Sequence, residues 1–360
     1  RFKNLLPTLR RYKYVWLVTG LILTLLTFVI GTYPGGDGPG LWLNLGSVYV
    51  QPSELLKFLL IVYLAAYLAD TFQAHLRLVQ LLTPTLILIT AAVLVLIAQR
   101  DLGTATLFIM LYTIVIYLAS GKRRILLISF FLVMAALVAG YIVFDVIQLR
   151  IEAWLNPWLD SRDRSYQIVQ SLIATANGGI LGRGMGLGSP GVVPVAHSDF
   201  IFTAILEEFG VAGGIALVCV LSLFTVRGLT IALRAPNQYQ RFLAAGLTSF
   251  IATQSILIMG GTIRLLPLTG VTLPFMSYGG TSLVVSMASV LLLLIISNQA
   301  EAHSAAIEKT RPYSFVGGIF LLGFAAIALL AAYWGFVRSE SLLERGDNPR
   351  RAISHRYVYR

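Results

Sequence analysis

A chain of 360 residues that is 57% hydrophobic and only 12% charged, with a mean hydropathy of +0.80, falls outside the ordinary soluble class. There, charged residues make up about 25% and apolar ones about 45–50%. The net charge of +11 does not point to nucleic acid, because the lysines and arginines sit mostly between apolar blocks. The single cysteine, Cys219, excludes an intrachain disulfide and a cysteine-based metal site.

The apolar residues come in blocks of about 20, the length that carries a helix across a ~30 Å hydrocarbon core. A bilayer offers the backbone no water, so such blocks must be helical. The predicted architecture is an all-α, polytopic transmembrane bundle of about nine spans. In chain order these cover residues 14–33, 53–69, 81–98, 102–120, 125–146, 200–226, 242–262, 282–297 and 314–337. Gly31 and Pro34 close the first span, as helix breakers do. Pro52 opens the second, where proline suits the first helical position. The basic opening Arg1–Lys13 leads into a long apolar block with no small-residue cleavage site, so no cleavable signal peptide is read there.

With the N-terminus placed in the cytoplasm, the inner segments hold Arg1, Lys3, Arg10, Arg11, Lys13, Arg77, Lys122, Arg123, Arg124, Arg227, Arg234, Arg241, Lys309 and Arg311. The short outer loops hold only Arg100 and Arg264. That bias follows the positive-inside rule. It places the segment 34–51, the long segment 147–199 and the tail from Arg338 outside. Roughly 50 residues without a span is far longer than ordinary connections, and such loops are usually functional or disordered. This one carries Trp154, Trp158, Tyr166, an apolar run over 168–176 and the glycines 178, 179, 182, 184, 186 and 188. A short interfacial or re-entrant helix followed by tight turns is expected.

Ionisable residues in or beside a membrane are functional candidates. Glu54 and Lys57 are three apart on one helix face and can pair. Arg100 and Asp101 occupy the next outer turn. Arg150, Glu152, Asp160, Arg162, Asp163 and Arg164 begin the long segment. Asp199 stands at the mouth of the sixth span, with Glu207 and Glu208 two turns deeper, and Arg264 follows at the next outer turn. Arginine forks suit phosphate, and a tuned carboxylate suits general-base work. Plainer readings stand beside these. Glu54–Lys57 is also a structural pair, Arg100–Asp101 also turn chemistry, and the glycine series also a linker. His197 reads better as a positioning group than as a catalyst, and Asp199 also reads as a helix cap. No metal-ligand spacing, P-loop, dinucleotide fingerprint or hydrolase triad appears.

Taken in order, Leu41-Trp-Leu-Asn-Leu-Gly46 with Gln51-Pro-Ser-Glu-Leu-Leu-Lys57, Gln99-Arg-Asp-Leu-Gly-Thr104, Trp154-Leu-Asn-Pro-Trp158, Tyr166-Gln167, the glycines, His197-Ser-Asp-Phe-Ile-Phe202, Glu207-Glu208-Phe-Gly210 and Leu266 through Gly280 resemble the SEDS family, the RodA and FtsW proteins. The resemblance covers roughly residues 12–300. It implies a peptidoglycan glycosyltransferase of the bacterial cytoplasmic membrane that polymerises lipid II, releasing undecaprenyl pyrophosphate. The family's essential aspartate, in H-x-D-F, corresponds to Asp199. That residue would deprotonate an acceptor hydroxyl for inverting attack on a second lipid II. Glu54, Lys57, Arg100, Asp101, Tyr166, Gln167, His197, Arg264 and Ser277 are the implied substrate-binding residues. Arg100 departs from the family pattern, in which proline is usual. No cofactor is evident, with a divalent cation, Mg or Mn, left open.

The resemblance also implies ten spans, with this chain entering at the third. Residues 1–300 are then the glycosyltransferase membrane domain without its first two helices. Residues 301–360 add a further span and a stretch, Tyr333 through Arg350, similar to the membrane anchor of class B penicillin-binding proteins. A fused transpeptidase partner is therefore expected, although no Ser-x-x-Lys occurs in this chain. Membrane lipids are the other expected partner. Two rival readings stand: a lipid II flippase, for which broken helices and buried charge would also suit, and a non-catalytic scaffold for the transpeptidase. Most candidate charges cluster at one surface, whereas a flippase needs a polar path through the midplane.

Overall fold

The computed structural model describes residues 4–33, 40–71, 78–163, 165–301 and 310–351. The expectations placed on Arg1, Lys3, Pro34, Arg77, Arg164 and Lys309 lie outside the described residues. Among the described residues the fold is helical: α1 (Leu5–Arg11), α2 (Lys13–Ile30), α3 (Pro52–Thr71), α4 (Leu78–Ala98), α5 (Leu102–Ser120), α6 (Arg123–Val143), α7 (Asp145–Leu155), α8 (Tyr166–Gly178), α9 (Ile201–Arg234), α10 (Gln238–Thr262), α11 (Gly280–Glu301), α12 (Arg311–Ala332) and α13 (Ser339–Leu343). One two-residue hairpin, Leu43–Asn44 against Tyr49–Val50, accompanies them.

Among the described residues, eight helices are long and apolar enough to cross a membrane. Eight of the nine expected spans are therefore present as full-length candidates. The remaining one, 81–98, falls in α4, whose apolar part Thr83–Ala98 is counted as a shorter helix. Burial sorts the spans. The most apolar windows of α3 and α10 are 89% and 94% buried, whereas that of α6 is 6% buried. The largely apolar α6 thus leaves most of its sides uncovered by the rest of the described chain.

The chain forms two compact units. The first comprises residues Arg1–Phe131, Phe224–Thr253 and Gly279–Gly318; the second comprises Leu132–Leu223, Gln254–Tyr278 and Ile319–Arg360. In the first unit the helix α1, Leu5–Arg11, lies within the basic opening segment. Arg10 donates to Asp70 at 2.5 Å, and Lys13 also pairs with that carboxylate. Gln99 reaches the Thr24 carbonyl at 2.8 Å and the Thr27 hydroxyl at 2.6 Å, a polar tie between helices of the kind apolar surroundings favour.

In the second unit the long segment between the expected fifth and sixth spans holds two helices, α7 and α8. The expected apolar run lies in α8, whose residues from Ile168 to Ala176 are all buried. The Ser171 hydroxyl contacts that of Thr203 at 2.6 Å and the Thr262 carbonyl at 2.6 Å, tying α8 to α9 and α10.

The glycine series has a structural role beyond that of a linker. Helix α9 breaks at Gly210, where φ is 70° and ψ −173°. The break frees the Glu207 and Glu208 carbonyls and the Val211 and Ala212 amides from one another. The glycine segment takes their place. Arg183 and Gly184 amides donate to Glu207 and Glu208 at 3.0 and 2.9 Å, while Val211 and Ala212 donate to Gly179 and Ile180 at 2.9 and 3.0 Å. All four backbone groups that must be satisfied in a dry setting are thus paired. Glycine is required on both sides. A Cβ on Gly210 would collide with the Ile180 carbonyl and the Gly182 amide, and one on Gly182 with the Glu208 carbonyl. Both residues also hold positive φ, which costs other residues about 1–2 kcal/mol.

Candidate functional site

Asp199 lies just before α9, in the turn that follows Val195. Its carboxylate accepts from the Ser198 hydroxyl at 3.0 Å. No amide of the first turn of α9 donates to it, so the cap reading is not realised. The turn is clasped by the segment after α10. The Ser277 hydroxyl donates to the Ser198 carbonyl at 2.7 Å and accepts from the Leu273 amide at 2.7 Å. The Tyr278 amide donates to the His197 carbonyl at 2.9 Å, and the two rings meet edge-on at 5.8 Å. Beneath, Phe200 packs with Ala174 and Val193 in a small buried core.

Helix α7 brings Arg150 to the same place. Its guanidinium donates to the Thr269 carbonyl at 3.3 Å. Arg150 Nη2 and Asp199 Oδ2 converge on Gly270, 3.7 and 3.8 Å from where a Cβ on that residue would stand. Burial pushes the Asp199 carboxyl above the usual carboxylate range. It outweighs the Ser198 hydrogen bond and the Arg150 and His197 charges, all of which pull it down. A carboxyl so raised is a stronger base than an ordinary aspartate, and the guanidinium beside it can hold an anionic group. Val195 and Phe275, on the two facing segments, carry positive φ of 57° and 67°. Strain of this kind persists only where the surroundings hold it.

The structure thus brings Asp199, His197 and Ser277 together and adds Arg150, in sequence only one of several charges in the long segment 147–199. No local signal marks it, since its partners lie in distant segments. Arg264 goes elsewhere. Its Nε and Nη2 donate to the Trp154 and Leu155 carbonyls at 2.7 and 2.6 Å, and the Trp154 indole donates back to Arg264 at 3.2 Å. It anchors the C-terminal end of α7, where cations are favoured, and burial draws its guanidinium pKa down. Tyr166 lines a separate cavity of about 590 Å³ with Ser161, Arg162 and Asn348, and Gln167 is exposed.

The other expected residues belong to the first unit. Lys57 and Glu54 form a buried pair at 2.7 Å, with Lys57 Nζ 5.6 Å from the Phe250 ring. The second Glu54 oxygen, Oε2, is buried without a partner. Asp101 caps α5, accepting from the Thr104 amide at 3.1 Å, and accepts from Ser53 at 3.3 Å. Arg100 is exposed at φ 60°, a backbone state closed to proline. Among the described residues no group of three His, Cys, Asp or Glu side chains could hold a metal ion.

One buried ion pair escaped the sequence reading. Glu207 takes a two-pronged bond from Arg350, at 2.7 and 3.0 Å, plus one from Asn177 at 2.8 Å. Arg350 also reaches Gln170 at 3.1 Å. The tail after α12 is thereby fastened to α8 and to the break in α9.

Fold and site together define a multi-pass helical membrane protein with a carboxylate–guanidinium site at the mouth of one span. Residues 3–302 match the FtsW/RodA/SpoVE family of cell cycle proteins, and the chain belongs to that family. It is 35% identical over 316 residues to the peptidoglycan glycosyltransferase RodA of Mycobacterium tuberculosis, covering 84% of this chain and 66% of that one. The chain therefore spans just under two thirds of that relative's length. It is 33% identical over 293 residues to the stage V sporulation protein E of Bacillus subtilis, covering 81% of this chain and 80% of the relative. Among solved structures, a chain from a peptidoglycan synthase complex that coordinates polymerization and crosslinking superposes with a TM-score of 0.69 at 27% identity, over 82% of this chain and 84% of that one. The rod shape determining protein RodA of Thermus thermophilus, 24% identical with a TM-score of 0.59 over 82% and 80% of the two chains, shares the fold.

Proposed function

We propose that this chain is a peptidoglycan glycosyltransferase that polymerises lipid II into glycan strands at the outer face of the bacterial cytoplasmic membrane. The observation that carries the reading is Asp199, a half-buried carboxyl with a raised pKa, held by Ser198 and faced by Arg150. Its ionised form takes the proton from an acceptor sugar hydroxyl. That oxygen attacks the anomeric carbon of a second lipid II, and undecaprenyl pyrophosphate leaves with its bonding electrons. An α-linked donor then gives a β-1,4 bond. Arg150 stands where it can balance charge on the leaving pyrophosphate. Lys57, through Glu54, and Asp101 act as positioning groups; Tyr166, Gln167, His197 and Ser277 act on the substrate side.

The N-terminus of the chain lies in the cytoplasm and the tail from Arg338 outside, a reading supported by the basic bias of the inner segments. The segment 301–360 is the membrane anchor and first outer residues of a class B penicillin-binding protein fused to the glycosyltransferase. The test uses purified protein with fluorescent lipid II and penicillin, which silences crosslinking. A ladder of long glycan polymer supports the proposal. Transfer of lipid II across liposomes without polymer would favour a flippase, and neither activity would leave a scaffold.

A further inference from the structure

Three arginines meet in a cavity of about 340 Å³ in the second unit. Arg264, Arg338 and Arg345 line it together with Trp158, Tyr333 and Ser341, and among the described residues no carboxylate is in the lining. Each guanidinium is anchored yet keeps donors in hand. Arg264 spends Nε and Nη2 on carbonyls and retains Nη1. Arg338 gives Nε to the Tyr333 hydroxyl at 2.9 Å and retains both terminal nitrogens. Arg345 gives Nε and Nη2 to Asp347, each at 2.8 Å, lies 4.5 Å from the Trp158 ring, and retains Nη1.

Asp347 balances one of the three charges, so among the described residues two remain without a counter-charge. Bringing like charges together in a partly desolvated cavity is unfavourable unless an anion joins them. Guanidinium forks already fixed in place fit phosphate oxygens and lose little freedom on binding them. The level is also right. Arg338 follows directly on the candidate span Arg311–Val337, where a membrane presents its phosphodiesters and where Tyr and Trp rings gather. Beside it Phe336 and Val337 are 46% and 72% exposed, giving apolar surface for acyl chains.

We propose that this cavity binds the phosphodiester headgroup of an anionic membrane lipid. The proposal rests on Arg311–Val337 crossing the membrane and not on the polymerase reading, and it is tested without lipid II. The full chain is placed in phosphatidylcholine nanodiscs containing increasing phosphatidylglycerol, and retained lipid is counted by native mass spectrometry. Phosphatidylglycerol should be retained over phosphatidylcholine. The double variant Arg338→Gln/Arg345→Gln should weaken that retention by about 10-fold or more, since charge-assisted bonds are the strong ones. Arg338→Gln alone, which removes a single hydrogen bond to Tyr333, serves as the variant that keeps the fold and should show part of the loss, with Arg338→Lys recovering some of it. Equal retention of the two lipids, or undiminished phosphatidylglycerol on folded Arg338→Gln protein, would overturn the proposal. Displacement of the lipid by soluble pyrophosphate, with no lipid preference left, would assign the cavity to a free anion instead.

Discussion

Replacing Gly210 by alanine tests the interleaving of the glycine segment with the broken helix α9. The new Cβ would meet two backbone atoms, the Ile180 carbonyl and the Gly182 amide, and neither can rotate away. Relief requires the segments to part, which places the four hydrogen bonds between residues 179–184 and 207–212 at risk. At ~1 kcal/mol each, losing two to three of them plus ~1–2 kcal/mol of positive-φ strain gives a destabilisation of about 4 kcal/mol. Two other glycines calibrate it. Gly186 has φ 74° but nothing within 4 Å of its Cβ position, and Gly191 has open space without the positive φ. Gly186→Ala should cost only the strain, and Gly191→Ala almost nothing. Scanning tryptophan fluorimetry in detergent should rank the apparent Tm values Gly191→Ala above Gly186→Ala above Gly210→Ala, with the last lowered by roughly 10 °C. A Gly210→Ala protein as stable as Gly191→Ala would refute the interleaved arrangement.

Arg350→Ala should destabilise the protein by about 3–5 kcal/mol, because it leaves Glu207 charged and buried; thermal unfolding reads this, and Arg350→Met paired with Glu207→Gln should recover part of the loss. The pH–rate profile should show an acid limb above the ordinary aspartate value of about 3.9, since burial raises the Asp199 pKa and only the ionised form accepts a proton. Arg150→Gln removes a charge that lowers that pKa, so the limb should move to still higher pH; movement to lower pH would contradict the assignment. Lys57→Ala should reduce polymerisation far more than Arg100→Ala, as Lys57 is buried against Glu54 and Arg100 is exposed. A lipid II titration giving the reverse order would show that the buried pair does not support the site.

The spans were legible because one physical fact, the absence of water in a bilayer, imposes length and apolarity together. The same logic located Asp199, Glu54, Asp101 and Arg264 at span ends. What stayed hidden depends on three-dimensional proximity. Arg150 reaches the Asp199 turn from another helix, and Arg350 meets Glu207 across 143 residues of chain; neither spacing has a period. The glycine segment read as turns and possible linker because its role is an exchange of backbone hydrogen bonds, which leaves no side-chain pattern except the glycines themselves. Arg264 shared the level of its neighbours but was taken by the carbonyls ending α7, a geometry that depends on where α7 stops.

In the proposed reaction the ionised Asp199 carboxylate moves a proton. Asp199→Asn keeps the shape and the bond to Ser198 but cannot act as a base, so the measurement is single-turnover polymerisation of labelled lipid II by folded Asp199→Asn protein. The expected result is a fall of ~10²–10⁴-fold in rate, with lipid II binding retained and Asp199→Ala no worse than Asp199→Asn. Polymer formed at near-parental rate by folded Asp199→Asn protein would contradict the account.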